Sequence, residues 1–255
     1  MATLIDLSVP TGPNAGEATP VQIDTLTHEQ GPAVLGLKTS DFPDGMAISS
    51  ETITLTTHTG THMDAPLHYG PHSGGEPARS IDKVPLDWCI GPGVRLDVRH
   101  IKPGEEIGED DVTEALCAAE HTLGDGDIVL LWTGADRLWG STEYLTTYPG
   151  LSGGATRFLV ERGVRVIGID AWGLDRPMAS MIEDYRRTGD RETLWPAHVY
   201  GREREYLQLE KLANLGQLPG PTGFTVMCFP VPVVNAGAGW TRVVAVTGRF
   251  VESDG

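Results

Sequence analysis

EDDVTEALCAAEHTLGDGDIVLLWTG, residues 109–134, joins a helical pattern to a β-like run through a glycine turn. Asp and Glu crowd its front, and Val112, Leu116 and Ala119 recur at three-to-four spacing, which marks an amphipathic helix over 109–121. Gly124-Asp125-Gly126 breaks that helix, and DIVLLWTG (127–134) follows as a strand. A second helical pattern, SGGATRFLVERG (152–163), opens on Ser152 as a cap and stops at Gly163, before the strand-like VRVIGID (164–170). Helix, strand, helix, strand in this order predicts a β-α-β-like centre and one mixed α/β domain over 1–255.

The flanks are β-rich. TLIDLS (3–8), AISSETITLTTH (47–58), GVRLDV (93–98), GFTVMCF (223–229) and RVVAVTGRF (242–250) are rich in Val, Ile or Thr and bounded by Gly, Pro or Asp. Only 171–206 breaks the pattern. It is polar and irregular, and its 176–197 portion reads as an insertion or lid.

Composition narrows the function. A formal net charge of -16, with no Lys/Arg block, repels phosphate backbones and anionic headgroups, so nucleic acid and membrane surfaces are not expected partners. Small molecules stay open. Cys89, Cys117 and Cys228 are far apart and form no CxxC pair, so neither a zinc ribbon nor a disulfide framework is expected, and Cys117 and Cys228 read as core. The start MATLIDLSVPTG lacks the pattern of a signal peptide and no apolar run is long enough to span a bilayer, so a reducing, cytoplasmic location is expected.

The chemistry gathers in TTHTGTHMDAPLHYG, residues 56–70. TITLTTHTGT (52–61) is dominated by β-branched residues, which favour extended backbone. On an extended chain His58, Gly60, His62 and Asp64 share a face, while a helix would rotate Asp64 away from His62. Gly60 would leave room for an ion or substrate, and Pro66 would turn the chain so that His68 returns over the same pocket. Two imidazoles and a carboxylate suit a catalytic divalent metal with an open position, zinc or manganese. A nearby unbound histidine, His68, suits proton transfer.

HTGTHMDAPLH (58–68) resembles the H-x-G-T-H-x-D-x-P-x-H signature of the metal-dependent cyclase-like hydrolases, which include bacterial kynurenine formamidase, isatin hydrolase and some polyketide cyclases. The resemblance extends through IDLS (5–8), IDKVPLDWCIGPGVRLDV (81–98), LLWTG (130–134), YPGLS (148–152), RGVRVIGIDAWGLD (162–175) and FTVMCFPVPVVNAGAGWTRVVAV (224–246). HVYGREREYLQLEKLANL (198–215) is similar to the family stretch in which a histidine precedes a glutamate by twelve residues, here His198 and Glu210.

The resemblance implies a swivelling β/β/α fold, a homodimer, and one or two divalent metals per subunit. His58, His62 and Asp64 would hold one metal, Asp64 bridging to a second held by His198 and Glu210, with His68 as proton donor and acceptor. The implied reaction is hydrolysis of a non-peptide C–N bond in a small aromatic or cyclic substrate, an aryl formamide or cyclic amide. Closing a polyketide ring through a metal-stabilised enolate is the alternative, and sequestering a metal or small acid without turnover is a third. VPTGPNAGEATP (9–20) lacks the tryptophan that follows the opening DLS in kynurenine formamidases, which argues against formylkynurenine. The 176–197 segment brings the chain nearer to isatin hydrolase or polyketide cyclase size.

Other residues are secondary. His28, His72, His100 and His121 read as surface or structural, with His72 a candidate for the mouth of the site. Trp88, Trp132 and Trp172 read as core, whereas Trp195 or Trp240 could stack on a flat substrate. Asp170 and Asp175 either support the site or cap a helix. GAG (237–239) lacks the context of a dinucleotide loop.

Overall fold

In a computed structural model, which describes residues 1–248, the extended runs condense into one nine-stranded mixed sheet and several two-stranded ones. The chain starts with β1 (Thr3–Asp6), β2 (Gln22–Leu26), β3 (Ser50–Thr54), β4 (His62–Asp64) and the short helix α1 (Pro66–Tyr69). Next come β5 (Ile90–Asp97), α2 (Glu109–Ala118), β6 (Ile128–Trp132), α3 (Gly153–Glu161) and β7 (Val166–Ile169). It ends with α4 (Met178–Thr188), α5 (Pro196–Tyr200), β8 (Leu207–Glu210), β9 (Phe224–Met227), β10 (Ala238–Trp240) and β11 (Val244–Thr247). The large sheet runs β1-β11-β9-β5-β6-β7-β8-β4-β10. Arg249 and Phe250, the end of the last β-like run, lie outside the described residues.

The central reading holds. β5, β6 and β7 are parallel neighbours, with α2 and α3 in the crossovers. β6 is an unbroken apolar run because both of its faces are buried. Val129 and Leu131 pack with Val112 and Leu116 of α2 and Leu159 and Val160 of α3. Ile128 and Leu130 face a second cluster with Met63, Leu207, Leu209 and Val226. Full burial of each such side chain contributes roughly 1.5–3 kcal/mol. Ser152 caps α3 as expected, its hydroxyl accepting from the Ala155 amide at 3.1 Å. No helix among the described residues is long and apolar enough to cross a membrane.

The structure corrects the reading of 52–64 as one extended segment. β3 pairs with β2 in a separate hairpin and ends at Thr54, and the next strand starts only at His62. Between them the chain turns, with the Thr59 amide donating to the Thr56 carbonyl at 3.1 Å. Gly60 has φ +62, a left-handed backbone that the β-branched count does not reveal. A Cβ there would lie 2.7 Å from the Thr11 hydroxyl, so this glycine serves the turn and a close chain approach, not an ion.

Two smaller expectations also change. The 171–206 segment is ordered by α4 and α5; its few apolar residues, Met181 and Ala197 among those buried, are enough to dock them. Cys117 is exposed, on the face of α2 turned from Leu116, while Cys228 is buried. Trp172 packs against the core as expected and also lines a cavity.

Gly60→Ala should destabilise the fold by about 2 kcal/mol, the order expected of a side chain in the left-handed region. A urea titration should show this as a lower midpoint with an unchanged slope.

Candidate metal centre

Antiparallel pairing of β8 with β4 sets Glu210 opposite His62 and Gln208 opposite Asp64. Alternation along β4 then turns His62 and Asp64 to the same side, as read from the sequence. His58 arrives from the turn, His68 from α1 and His198 from α5. The six residues singled out as site candidates therefore meet, carried by five separate pieces of chain.

Their atoms crowd. His58 Nδ1 is 3.0 Å from Asp64 Oδ1 and 3.2 Å from His62 Nε2. His62 Nε2 is 3.5 Å from both Asp64 Oδ1 and Glu210 Oε2. His198 Nε2 lies 3.9 Å from Asp64 Oδ2 and 4.0 Å from Glu210 Oε1. The His68 ring centre is 4.3 Å from that of His58 and 5.3 Å from that of His198. Two sets have ligand atoms within 4.8 Å of one another: His58, Asp64 and His68, and His62, Asp64 and Glu210. Asp64 is common to both, and these sets cut across the grouping that the resemblance implies.

Tautomers show what this arrangement lacks. His62 Nδ1 faces the Gly60 carbonyl at 2.9 Å, and a carbonyl only accepts, so this nitrogen carries the proton. In the neutral ring Nε2 then turns a lone pair toward two carboxylates. Asp64 is fully buried, and neither of its oxygens has a donor in bonding geometry, although His58 Nδ1 is close. Buried, unpartnered acceptors converging on one point are costly unless a cation sits among them. The donor set, imidazole nitrogen and carboxylate oxygen, fits a divalent metal of the zinc or manganese type.

Neighbouring imidazoles offset part of that cost. Burial would raise the Asp64 carboxyl, but His62, His58 and His68 outweigh it and hold the group well below the usual carboxylate range. Glu210 is lowered in the same way, burial being outweighed chiefly by His62. Burial would lower His198, yet contact with Asp175 and the charges of Glu210 and Asp64 push it up to about 9. His68 moves the other way: burial, reinforced by His58 and His198, holds it below its ordinary value against the pull of Asp64.

The loop after β7 supports both His198 and Glu210. Asp175 accepts from the Ala197 amide at 2.7 Å, capping α5, and also accepts a hydrogen bond from His198 Nδ1 in a short contact. Supporting the site and capping a helix are here one act. The Leu174 amide donates to Glu210 Oε1 at 2.8 Å. Asp170 stands apart from the ligands and ties strand ends, accepting from Thr133 and Gly134.

A cavity of about 360 Å³ opens beside the ligands, walled by Trp172, Trp195, Met178, Met181, Tyr148 and Glu17. A second opening, of about 930 Å³, adjoins the other side of His68 and His198. Trp195 borders both, whereas Trp240 donates its indole N–H to the Thr56 carbonyl and borders neither. His72 is exposed and borders neither. The sequence reading gave Trp172 no place at the site and passed over Tyr148, Glu17 and Lys211. A signal existed for the last, a lysine directly after Glu210 in the β-like YLQLEKL.

Comparison with known proteins agrees with this architecture. The model of the family described as putative cyclase matches residues 5–176. Kynurenine formamidase of Geobacillus thermodenitrificans is 35% identical over 185 residues, covering 72% of this chain and 73% of that protein. The Salinibacter ruber kynurenine formamidase is 26% identical, covering 79% and 81%. Among solved structures, an isatin hydrolase bound to the product analogue thioisatinate superposes with a TM-score of 0.77 at 20% identity, over 97% of this chain and 93% of that one. A potential metal-dependent hydrolase with cyclase activity reaches 0.65 at 21%, over 98% and 100%.

The His198 shift carries a pH signature. Its folded value, about 9, lies above the ordinary 6.5, so its stabilising contribution is full below about 6.5 and is lost as pH rises through 9. Chelator-treated protein should lose thermal stability between about pH 7 and pH 9.5, a slope absent from His198→Ala. Metal uptake should tighten over the same window as that proton is displaced. Calorimetry with and without chelator measures both.

Proposed function

The chain belongs to the putative cyclase family, and from that premise we propose that it is a metal-dependent hydrolase that cleaves a non-peptide C–N bond in an aryl formamide or cyclic amide. The observation that carries this reading is buried Asp64, its two unpartnered oxygens faced by His58, His62 and His198 beside an aromatic-walled cavity. His58, His62, Asp64, His198 and Glu210 are assigned as the ligands of one or two Zn²⁺ or Mn²⁺ ions. A bound divalent cation supplies Lewis-acid polarisation of the substrate carbonyl and lowers the pKa of water toward neutrality.

The side chains supply the rest. His68 is lowered from its ordinary value, so at neutral pH it is a free base at the mouth of the site. One of its ring nitrogens takes a proton from the attacking water and passes it to the leaving nitrogen, which departs as a neutral amine. Trp172 and Trp195 offer flat faces to an aromatic ring, and the cavity suits a small one- or two-ring compound. Relatives named kynurenine formamidase and isatin hydrolase support the same bond class.

Residues 1–255 are assigned as one domain, with 176–197 as a lid. The lid reading is supported by Met178, Met181 and Trp195, which wall the cavity from that segment. A homodimer is supported by the apolar side chains left exposed around the β2–β3 hairpin, among them Ile23, Val34, Leu35, Ile48 and Ile53. Ring closure through an enolate is the second reading; the family description and the solved hydrolase with cyclase activity favour keeping it.

His68→Ala should keep its metal and lose turnover by about 100-fold or more, while Asp64→Asn should lose both. Metal content by mass spectrometry, beside kinetics on a panel of formamides, lactams and esters, measures this. Full activity after exhaustive chelation, or loss of metal from His68→Ala, defeats the assignment.

A further inference from the structure

Behind His58 lies a buried ion pair that neither the sheet nor the hydrolytic step calls for. Lys211 directly follows Glu210, its side chain is 3% exposed, and its ammonium meets Glu17 Oε2 at 2.6 Å. That ammonium also donates to the His58 carbonyl at 2.8 Å. The other Glu17 oxygen accepts from the Gly60 amide at 2.6 Å. The turn at 58–60 is thus gripped at both ends, by a donor at its first carbonyl and an acceptor at its last amide. Thr61 extends the grip, its hydroxyl donating to the Lys211 carbonyl at 2.6 Å and accepting from the Val9 amide at 2.9 Å.

Stability alone does not account for this pair. Buried ion pairs seldom outperform well-packed apolar side chains of the same volume. Lys211 also has φ +58, a left-handed backbone region that side chains other than glycine adopt only at a cost. Both residues border the ligand-side cavity, with Lys211 Nζ 5.5 Å from the Trp172 ring centre.

His58 is the ligand that most needs such help. β4 and β8 hold His62, Asp64 and Glu210 in register, and Asp175 orients His198. His58 lies outside helices and strands, with its side chain 36% exposed.

We infer that Glu17 and Lys211 are positioning residues: together they fix the turn that presents His58 to the cation, and they tie it to the 9–20 segment that walls the cavity. The inference rests on the assignment of His58 as a ligand. Ion pairing as such is not its content, because the pair must donate at His58 and accept at Gly60.

Competition between the full-length protein and a chromogenic chelator for Zn²⁺ tests it. Lys211→Met and Glu17→Gln should each weaken Zn²⁺ binding about tenfold or more, the effect typical of groups that orient ligands. Exchanging the charges, Glu17→Lys with Lys211→Glu, should leave binding as weak as the single changes, because donor and acceptor are then reversed. In a His58→Ala background, Lys211→Met should add less than about a factor of two. Wild-type affinity in Lys211→Met, recovery in the exchanged pair, or a full additional loss in the His58→Ala background overturns the inference. His58→Ala with unchanged affinity instead defeats the ligand assignment. Should Lys211→Met fail to fold, Glu17→Gln decides, since its amide keeps one oxygen for the Gly60 amide but turns an NH2 donor toward the Lys211 ammonium, which then loses the acceptor that aims it at the His58 carbonyl.

Discussion

Pairing between β4 and β8 holds the site together, and it tolerates no error. Both strands are short and buried, and their register puts Glu210 across from His62 while alternation brings Asp64 to the same side. A slip of one residue would turn Met63 and Leu209 toward the histidines and drive the carboxylates into the apolar cluster that those two now occupy. The hydrophobic pattern of two strands therefore places the polar chemistry. Met63, fully buried between two ligand candidates, is the pin.

On that base the surrounding groups solve an electrostatic problem. Asp64 and Glu210 lie almost without solvent, and both are lowered chiefly by the imidazoles around them, with the Leu174 amide donating to Glu210 as well. Each histidine with a defined tautomer has one nitrogen tied to protein, His62 to the Gly60 carbonyl and His198 to Asp175, and the other left facing the carboxylates. Tying one nitrogen orients the ring and raises the basicity of the other. His68 lacks such a tether among its hydrogen bonds in the described structure, and it is the one histidine of the group lowered by its surroundings. The two anchored rings thus face the buried carboxylates, and His68 is the ring that the proposed function assigns to proton transfer.

How much of this was legible depended on whether local pattern or tertiary context decided the matter. The central β-α-β segment was legible because its helices and strands differ in period, and Ser152 and Gly163 punctuate them. His62 and Asp64 were legible through alternation. His58 was expected on their face for a reason the structure does not keep: a single positive φ at Gly60 ended the extended run, and composition does not report φ. His198 and Glu210 came only through family resemblance, since a helix of five residues and a four-residue strand have no strong signal of their own. Asp175 stayed ambiguous between two roles because it performs both. Trp172 read as core because it adjoins a strand, and it does pack there, but only the fold shows that it also lines the cavity.

The bond from Lys211 to the His58 carbonyl spans 153 positions of the chain, and that from Thr61 to the Lys211 carbonyl spans 150. Such links form late, because closing long loops exacts entropy before any contact returns it. The centre is consequently absent from any intermediate in which β8 has yet to dock. A growing polypeptide emerging from the ribosome carries the HTGTHMD run long before Glu210 is synthesised, so the six side chains cannot gather until β8 has been made.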